Sequence, residues 1–418
     1  MSRASGSPQQ AVPRDAIALR APPLADSVLR LIWQERRISR AEIARRTGLS
    51  RSTVTEIVRD LLKTALVAEV GTGRSRGGRR PIVLEFQDEA CVILGIDIGA
   101  THVAVALTDL RGRVLAWNEA AHPVRMDPEG TRALIASLCD ASLATVNTGT
   151  QQLLGLGVGV PSPVDPDDPY GLSEVVLPEW HGRSGLEGLR VHYGLPVLVD
   201  NDANLGALAE RWWGAGRDVD DFAYVKLATG VGLGHILGGE IYRGAAGFAG
   251  EIGHLAIDPH GEPCVCGLRG CLTTFVGSRA LVARATALLA DLPDSALAGE
   301  ELTIAAIEDA ALAGDGLALQ IVREAAEYLG IAVAGLLNLN NPSMVILGGG
   351  LVRVGELLLE PLREAVRSRT LVSSVAAADI RASELGPQAP AVGAATLVLD
   401  AALNDPRLFQ QMRAQEVR

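Results

Sequence analysis

The sequence predicts a small α+β module followed by a larger α/β body of two related lobes. Three observations lead to this prediction. Residues 1–86 contain 16 Lys or Arg against 8 Asp or Glu, whereas the rest of the 418-residue chain contains 22 against 41. Helical periodicity in the first part gives way, after Glu89, to alternating apolar strands and helices. Two strand-loop-strand units of one plan then follow, which indicates duplicated lobes.

The composition is typical of a folded globular protein of about three domains at roughly 150 residues each. Hydrophobic residues make up 48% of the chain and aromatic residues only 4%, so aliphatic side chains are expected to fill the cores. The sequence shows no secretory leader and no run of 18 apolar residues. We therefore expect a soluble cytoplasmic protein with no membrane partner.

The segment 24–88 has the pattern of a winged helix-turn-helix domain, and residues 1–23, rich in Ser, Pro and Gln, are predicted to form a mobile tail. A first helix is followed by a second that begins at the capping box of residues 39–42. Ser50 is positioned to cap a third helix, residues 51 to about 64. Strands at 66–70 and 82–86 then flank a Gly-rich loop with four arginines, which predicts a wing.

This basic module is predicted to bind operator DNA. A recognition helix presents the side chains of its N-terminal half to base edges, and a basic wing lies along phosphates or enters a minor groove. The predicted DNA-contacting residues are Arg51, Ser52, Thr53 and Thr55 on the third helix and Arg74, Arg76, Arg79 and Arg80 in the wing. The alternative is a three-helix module for protein interaction. The helix spacing, the wing and the basic charge together favour DNA binding over protein interaction.

The body is predicted to consist of a first lobe at residues 89–199 and a second lobe at 200–418, whose last helix can pack back on the first lobe. Each lobe contains a Gly- and Thr-rich bend that could approach phosphate oxygens, and Asp97 could hold a phosphate-bound Mg²⁺ through water. A third Gly cluster follows an apolar strand. The candidate nucleotide or phosphate residues are Asp97, Gly99, Thr101, Thr229, Gly230, Gly348 and Gly349. Each bend alone could equally be an ordinary turn.

An apolar strand also ends in Asp200, Asn201 and Asp202, at the edge where open α/β sheets bind ligands. One of these carboxylates could accept a proton from a substrate hydroxyl during phosphoryl transfer. Helix capping is the alternative use of the same residues.

The most specific motif is a predicted metal site. One imidazole and three sulfurs, from His254, Cys264, Cys266 and Cys271, would complete a closed tetrahedral shell around a structural Zn²⁺. The alternatives are three buried thiols in a reducing compartment, or His260 as the imidazole ligand.

Residues 244–254 (GAAGFAGEIGH) and 264–271 (CVCGLRGC) resemble the signature of the ROK family of repressors and sugar kinases, and the resemblance covers almost the whole chain. It implies an actin-like (ribonuclease H-like) two-lobed ATPase fold with zinc on His254 and the three cysteines. It also implies a sugar site, with Asp202 as the base that activates a sugar hydroxyl. The implied sugar-binding residues are Asn201, Asp202, Glu251, His254 and, from the loop at 159–163, Ser162.

The chain departs from the family's kinase pattern in both halves of the site. The first loop has Ala100 and His102 where the kinases usually have Gly and Lys, and His102 is expected to be mostly uncharged at neutral pH. Thr273 stands where a sugar-contacting Glu is usual.

The prediction is a DNA-binding regulator, a homodimer or homotetramer, whose kinase-like body senses a sugar or sugar phosphate. The alternative is an active sugar kinase that uses ATP and Mg²⁺ and also carries a DNA-binding module.

Overall fold

The computed structural model describes residues 24–64, 66–72, 81–146, 152–299, 301–370 and 378–405. These form two compact units. The first contains described residues up to Gln87 together with 403–405, and the second contains residues 88–402. The predicted tail at 1–23 and the four wing arginines lie outside the described residues. Within the described ranges, no helix is both long and apolar enough to cross a membrane.

The small unit has three helices and a three-stranded antiparallel sheet in the order β1-β3-β2. Its elements are α1 (Leu24–Glu35), β1 (Arg37–Ser39), α2 (Arg40–Thr47), α3 (Arg51–Leu62), β2 (Val67–Thr72) and β3 (Ile82–Phe86). The sequence prediction missed β1, because three residues show no periodicity. Aliphatic side chains fill the core, including Val28, Leu29, Ile32, Ile43, Val54, Val58 and Leu84.

Two serine caps determine where α2 and α3 begin. The backbone N–H of Glu42 donates to Ser39 Oγ at 3.2 Å, and the N–H of Thr53 donates to Ser50 Oγ at 3.1 Å. Only half of the predicted capping box forms, because the Glu42 carboxylate accepts from Arg45 and Arg46 instead. Between the two helices the chain turns at Gly48, which ends α2 with φ +71°, and Ser50 then begins α3.

The first lobe is built on a five-stranded sheet in the order β6-β5-β4-β7-β8. Strand β4 pairs antiparallel with β5 and parallel with β7. The elements are β4 (Val92–Ile98), β5 (His102–Thr108), β6 (Val114–Ala121), α4 (Pro128–Thr145), β7 (Leu153–Val160), α5 (Glu187–Tyr193) and β8 (Val197–Asn201). Helix α6 (Asp202–Trp213) follows β8 and packs mainly on the sheet of the second lobe. The buried middle strands read as continuous apolar runs, as expected for a sheet covered on both faces.

The second lobe repeats this topology with the order β11-β10-β9-β12-β13. Here β9 pairs antiparallel with β10 and parallel with β12. The strands are β9 (Phe222–Leu227), β10 (Val231–Leu237), β11 (Glu240–Ile241), β12 (Met344–Gly349) and β13 (Asp379–Ala382), and the helices are α7 (Thr273–Val276), α8 (Ser278–Leu289), α9 (Ile304–Leu312), α10 (Gly316–Asn340), α11 (Glu356–Arg367) and α12 (Ala389–Asn404). Two sheets of one order confirm the predicted duplicated actin-like body.

The last helix, α12, packs against the sheet of the first lobe through two strand glycines. A Cβ on Gly95 of β4 would lie 1.9 Å from the carbonyl oxygen of Ala391, and one on Gly157 of β7 would lie 1.8 Å from that of Ala394. Both contacts are with backbone atoms of α12, which cannot turn aside as a flexible side chain can. Helix and sheet therefore pack at a distance that only glycine permits.

We expect Gly157→Ala to lower the free energy of unfolding by about 2–4 kcal/mol, because the new methyl group forces α12 away from the sheet. Gly335→Ala is the matched control. Gly335 lies inside α10, and a Cβ at this residue would meet no atom within 4 Å. The same change should therefore stabilise the helix by about 0.5–1 kcal/mol. Urea denaturation of both variants measures the two effects, and equal effects of the same sign would disprove the packing argument.

Candidate functional site

A cavity of about 1490 Å³ lies between the two lobes of the body. It opens where β4, β8, β9 and β12 end, which is the usual ligand-binding edge of such sheets. Most of the predicted site residues line it: Asp97, Gly99, Thr101, Ser162, Asn201, Asp202, Thr229, Gly230, Glu251, His254 and Gly349. Gly348 does not line the cavity. It packs instead over Tyr224, whose hydroxyl oxygen would lie 2.0 Å from a Cβ at that position.

The cavity floor holds a buried cluster of two carboxylates and an ammonium group. Lys226, on β9, places its Nζ 2.8 Å from Asp202 Oδ2 and 3.6 Å from Asp97 Oδ1. All three residues are buried. Sequence reasoning missed Lys226, although a charged residue within the apolar strand FAYVKL was a signal that could have found it.

Each charge in this cluster shifts the titration of the others. Burial by itself would lower the pKa of Lys226, but the two carboxylates outweigh it and raise that pKa to about 12. Burial opposes ionisation of Asp97 too, yet the charge of Lys226 and the neighbouring His102 hold its pKa below the usual range. Burial raises the pKa of Asp202, against the opposing charge of Lys226, and the charge of Asp97 raises it further. Lys226 is therefore charged at neutral pH.

His102 covers the first phosphate loop. Its Nε2 lies 3.6 Å from Asp97 Oδ2, and its ring atoms come within 2.3–3.0 Å of where a Cβ on Gly99 would be. The Asp97 carboxylate raises the pKa of His102. The sequence-based expectation of a mostly uncharged imidazole overlooked this partner. The ring therefore lies directly against Gly99 of the candidate phosphate loop.

Two predicted sugar-binding residues also build the local structure. The amide oxygen of Asn201 caps α6 by accepting from the N–H groups of Ala203 and Asn204, at 2.9 and 3.3 Å. Its Nδ2 donates to the carbonyl oxygen of Ser162 at 3.2 Å. Asn201 therefore holds the Ser162 loop of the first lobe against the start of α6. The two roles that the sequence left open for this residue, helix cap and ligand contact, are thus compatible.

Ser162 is buried, and its hydroxyl oxygen accepts the N–H of Ser173 at 3.0 Å. Thr273, which stands at the position of a usual sugar-contacting Glu, accepts the N–H of Val231 at 3.3 Å. Its hydroxyl thereby braces the start of β10, beside the second phosphate loop. The carboxylate of Glu251 lines the cavity. Burial raises the pKa of Glu251, and the charge of Asp202 raises it further.

Asp200 joins the two lobes beside the cavity. Its carboxylate accepts from Arg243 Nε at 3.1 Å and Nη2 at 2.5 Å, and from Asn204 Nδ2 at 3.0 Å. Asp200 ends a strand of the first sheet, whereas Arg243 follows the last hairpin strand of the second. Because all its interactions are structural, Asp200 is an interlobe anchor rather than a candidate base.

The predicted metal ligands converge on one point. The ligand atoms of His254, Cys264, Cys266 and Cys271 all lie within 4.8 Å of one another. Cys264 Sγ is 3.5 Å from His254 Nδ1, and Cys266 Sγ is 3.6 Å from Cys271 Sγ. Tetrahedral zinc with Zn–S bonds of about 2.3 Å holds its sulfurs about 3.8 Å apart, so this set has the right size for a metal ion.

The loop that carries these cysteines folds tightly at Gly270. This residue has φ +61°, and a Cβ there would lie 1.5 Å from the carbonyl oxygen of Asp258. Only glycine allows this approach, which places Cys271 beside Cys266. His260, the alternative imidazole, is not part of the cluster.

The predicted recognition residues lie at the start of α3. Arg51, Ser52 and Thr55 are exposed and Thr53 is half-buried. The Ser52 and Thr53 hydroxyls each lie 2.8 Å from Ser50 Oγ, and Thr55 donates to the carbonyl oxygen of Arg51 at 2.8 Å. Among the four, Arg51 has the longest side chain that is free to reach a base edge. The wing residues lie outside the described part of the chain.

A winged helix-turn-helix and a two-lobed actin-like body in one chain define a DNA-binding transcriptional regulator. A model described as winged helix-turn-helix DNA-binding matches residues 27–64. The model of the ROK family matches residues 93–401, and the chain belongs to that family.

Similar proteins include both regulators and kinases. A xylose repressor of Caldicellulosiruptor bescii is 34% identical over 383 residues, which cover 91% of this chain and 96% of the repressor. The crystal structure of a ROK family transcriptional regulator, a homologue of the E. coli MLC protein, superposes with a TM-score of 0.77 at 27% identity, over 93% and 98% of the two chains. A ROK family glucokinase from Streptomyces griseus, in complex with glucose and AMPPNP, gives a TM-score of 0.66 at 31% identity, over 73% and 98%.

Proposed function

We propose that this protein is a transcriptional repressor whose kinase-like body senses a sugar or sugar phosphate. The observation that carries the proposal is the combination, in one chain, of a DNA-binding module with an interlobe cleft that presents Asn201, Asp202 and Glu251. The similarity to a xylose repressor over nine tenths of both chains supports it. Because operator DNA is its proposed partner, we propose that the protein acts in the cytoplasm.

In this proposal the effector acts by closing the cleft. Asp202 and Glu251 accept hydrogen bonds from sugar hydroxyls, and the Asp200–Arg243 ion pair provides a fixed point about which the lobes move. A ligand shifts such an equilibrium only by its difference in affinity for the two states, so closure must be coupled to DNA affinity. No phosphoryl transfer is required.

The operator-bound form is proposed to be a homodimer or homotetramer. One winged helix covers one half-site, and two-fold pairing doubles the number of contacts with DNA. The metal ion on His254 and the three cysteines is proposed to be Zn²⁺. Four soft ligands leave no open coordination position, so this zinc would stabilise the fold and do no hydrolytic chemistry.

A sugar kinase is the second candidate function, because Asp202 faces the cleft and a glucokinase shares the fold. In that case Asp202 would be the base that takes the proton of the sugar hydroxyl. If the protein phosphorylates xylose or glucose from ATP and Mg²⁺ at an ordinary rate, of order 1 per second, and Asp202→Asn abolishes this, the kinase function replaces the sensor function.

The first experiment is a thermal-shift screen of the full chain with xylose, glucose and glucose 6-phosphate, each with and without ATP and Mg²⁺. A ligand that binds the folded state raises the melting temperature. We expect at least one sugar to stabilise the protein without ATP. The same sugar should then release DNA selected by the protein from a random-sequence library.

Glu251→Ala is expected to raise the sugar concentration for half-release of DNA by about 10- to 100-fold, because it removes a charged hydrogen-bond acceptor from the cleft. Asp202→Asn should keep part of the response, since an amide can still hydrogen-bond a hydroxyl. Glu240→Ala, which removes an exposed carboxylate of the same lobe outside the cavity, is the control. DNA affinity without sugar should be unchanged in all three. An unaltered sugar response in Glu251→Ala would exclude this residue from the effector site.

A further inference from the structure

The cavity floor contains a cation of the protein itself, Lys226, between two buried carboxylates, one of which, Asp97, is the candidate Mg²⁺-binding residue. Asp97 ends β4 of the first lobe, and Asp202 begins α6. Lys226 comes from β9 of the second lobe and reaches between them, at 2.8 Å from Asp202 Oδ2 and 3.6 Å from Asp97 Oδ1. The Asp97 Oδ1 atom is buried and accepts no hydrogen bond, so Lys226 is its neutralising partner.

The residues around this position do not fit a Mg²⁺–nucleotide complex. Mg²⁺ requires near-octahedral oxygen ligands at about 2.0–2.1 Å and usually keeps several waters. The ammonium group lies 2.8 Å from Asp202 Oδ2 and 3.6 Å from Asp97 Oδ1, so a Mg²⁺ ion held by these two carboxylates would have to displace it. Its positive charge also repels a divalent cation at short range. On the loop side, the His102 ring fills the space beside Gly99.

We propose that Lys226 is a built-in cation that occupies the divalent-metal position between Asp97 and Asp202, and that it makes the cleft independent of metal and nucleotide. The ammonium group neutralises one of the two buried carboxylates at all times. The cavity floor can therefore bind an uncharged polyol without a bound metal ion. This inference goes beyond the proposed function, because a sugar sensor could equally have kept a metal in its cleft.

The test is to remove the ammonium group and measure whether a divalent ion takes its place. Lys226→Met keeps the length of the side chain but removes the ammonium group that lies between the two buried carboxylates. Mn²⁺ is the probe, because it prefers the same oxygen ligands as Mg²⁺ and its free form is counted directly by electron paramagnetic resonance. It does not compete with zinc for sulfur and imidazole ligands. The full-length protein is used throughout.

We expect Lys226→Met to gain one Mn²⁺ site per chain, at least about tenfold tighter than any site in the parent protein. Adding Asp97→Asn to Lys226→Met should abolish the new site, because it removes one of the two carboxylate ligands. Lys226→Arg, which keeps a cation, should bind Mn²⁺ no better than the parent. Equal Mn²⁺ binding by the parent and Lys226→Met overturns the proposal.

If Lys226→Met does not fold, Mn²⁺ binding is compared instead between the parent protein and Asp97→Asn, both of which keep Lys226. The proposal requires that Asp97→Asn alone leave Mn²⁺ binding unchanged, because the parent has no metal at this position. A Mn²⁺ site in the parent that Asp97→Asn removes would refute it. Neither measurement uses DNA or sugar, so a failure here is distinct from a failure of the proposed function.

Discussion

Cys266→Ser is expected to purify without its metal and to lose at least about 3 kcal/mol of stability, because the binding energy of a structural zinc contributes directly to folding. Serine nearly matches cysteine in size, so lost packing explains little of this effect. Cys266 Sγ lies 3.6 Å from Cys271 Sγ, and an alcohol at that position is a poor ligand for zinc. Elemental analysis should find one zinc per chain in the parent protein and none in the variant, and urea denaturation measures the loss of stability.

Cys139→Ala provides the matched control for a lost thiol. Burial raises the pKa of Cys139 to about 12, so this thiol stays protonated and is unsuited to bind a metal. It lies in α4, apart from the cluster. The variant should keep its zinc and lose only about 1–2 kcal/mol through poorer packing. A parent protein without zinc, or a Cys266→Ser variant as stable as the parent, would contradict the metal assignment.

Replacing Arg74, Arg76, Arg79 and Arg80 together with Ala is expected to weaken binding to all DNA sequences. Each lost phosphate contact should reduce the slope of log affinity against log salt concentration by roughly 0.9. The prediction depends on the basic sequence between β2 and β3, two strands that pair antiparallel. Arg51→Ala should instead change sequence preference, because Arg51 lies exposed at the start of α3. Titrations at several salt concentrations separate the two effects.

The control for net charge replaces four exposed arginines of the body. Those are Arg190, Arg217, Arg323 and Arg367. This variant carries the same change in charge, but its DNA affinity and salt slope should stay close to those of the parent. If it lost as much affinity as the wing variant, general electrostatic attraction would explain the binding. An unchanged salt slope in the wing variant would show that the loop does not touch phosphates.

Local patterns in the sequence were sufficient to predict the small unit and the metal ligands. The apolar spacing, Ser39 and Ser50 identified α2 and α3, because caps and helical faces depend on residues only a few positions apart. Three cysteines within eight residues similarly identified most of the metal cluster. The duplicated strand-loop-strand plan predicted two lobes, since each unit carries its own pattern.

The hydrogen bonds and packing contacts of the cleft residues depend instead on partners that lie far away in the sequence. The resemblance that implied Asn201 as a sugar-binding residue gave no sign that its amide also holds the Ser162 loop. Gly348 belongs to a Gly cluster that resembled a phosphate loop, but it packs over Tyr224, which lies more than a hundred residues earlier in the sequence. Such contacts depend on how separate elements pack, which periodicity within one element does not encode.

The sequence by itself determined the family, the winged helix-turn-helix and the four candidate metal ligands, because each depends on residues that lie close together in the chain. Only the tertiary structure decided what the cleft carries at its floor. Asp97, Asp202 and Lys226 come from three different elements, and their charges interact because folding brings both carboxylates within 4 Å of the Lys226 ammonium group in a buried site. The Coulomb energy of such a cluster depends on distance and burial, and neither is a property of sequence separation.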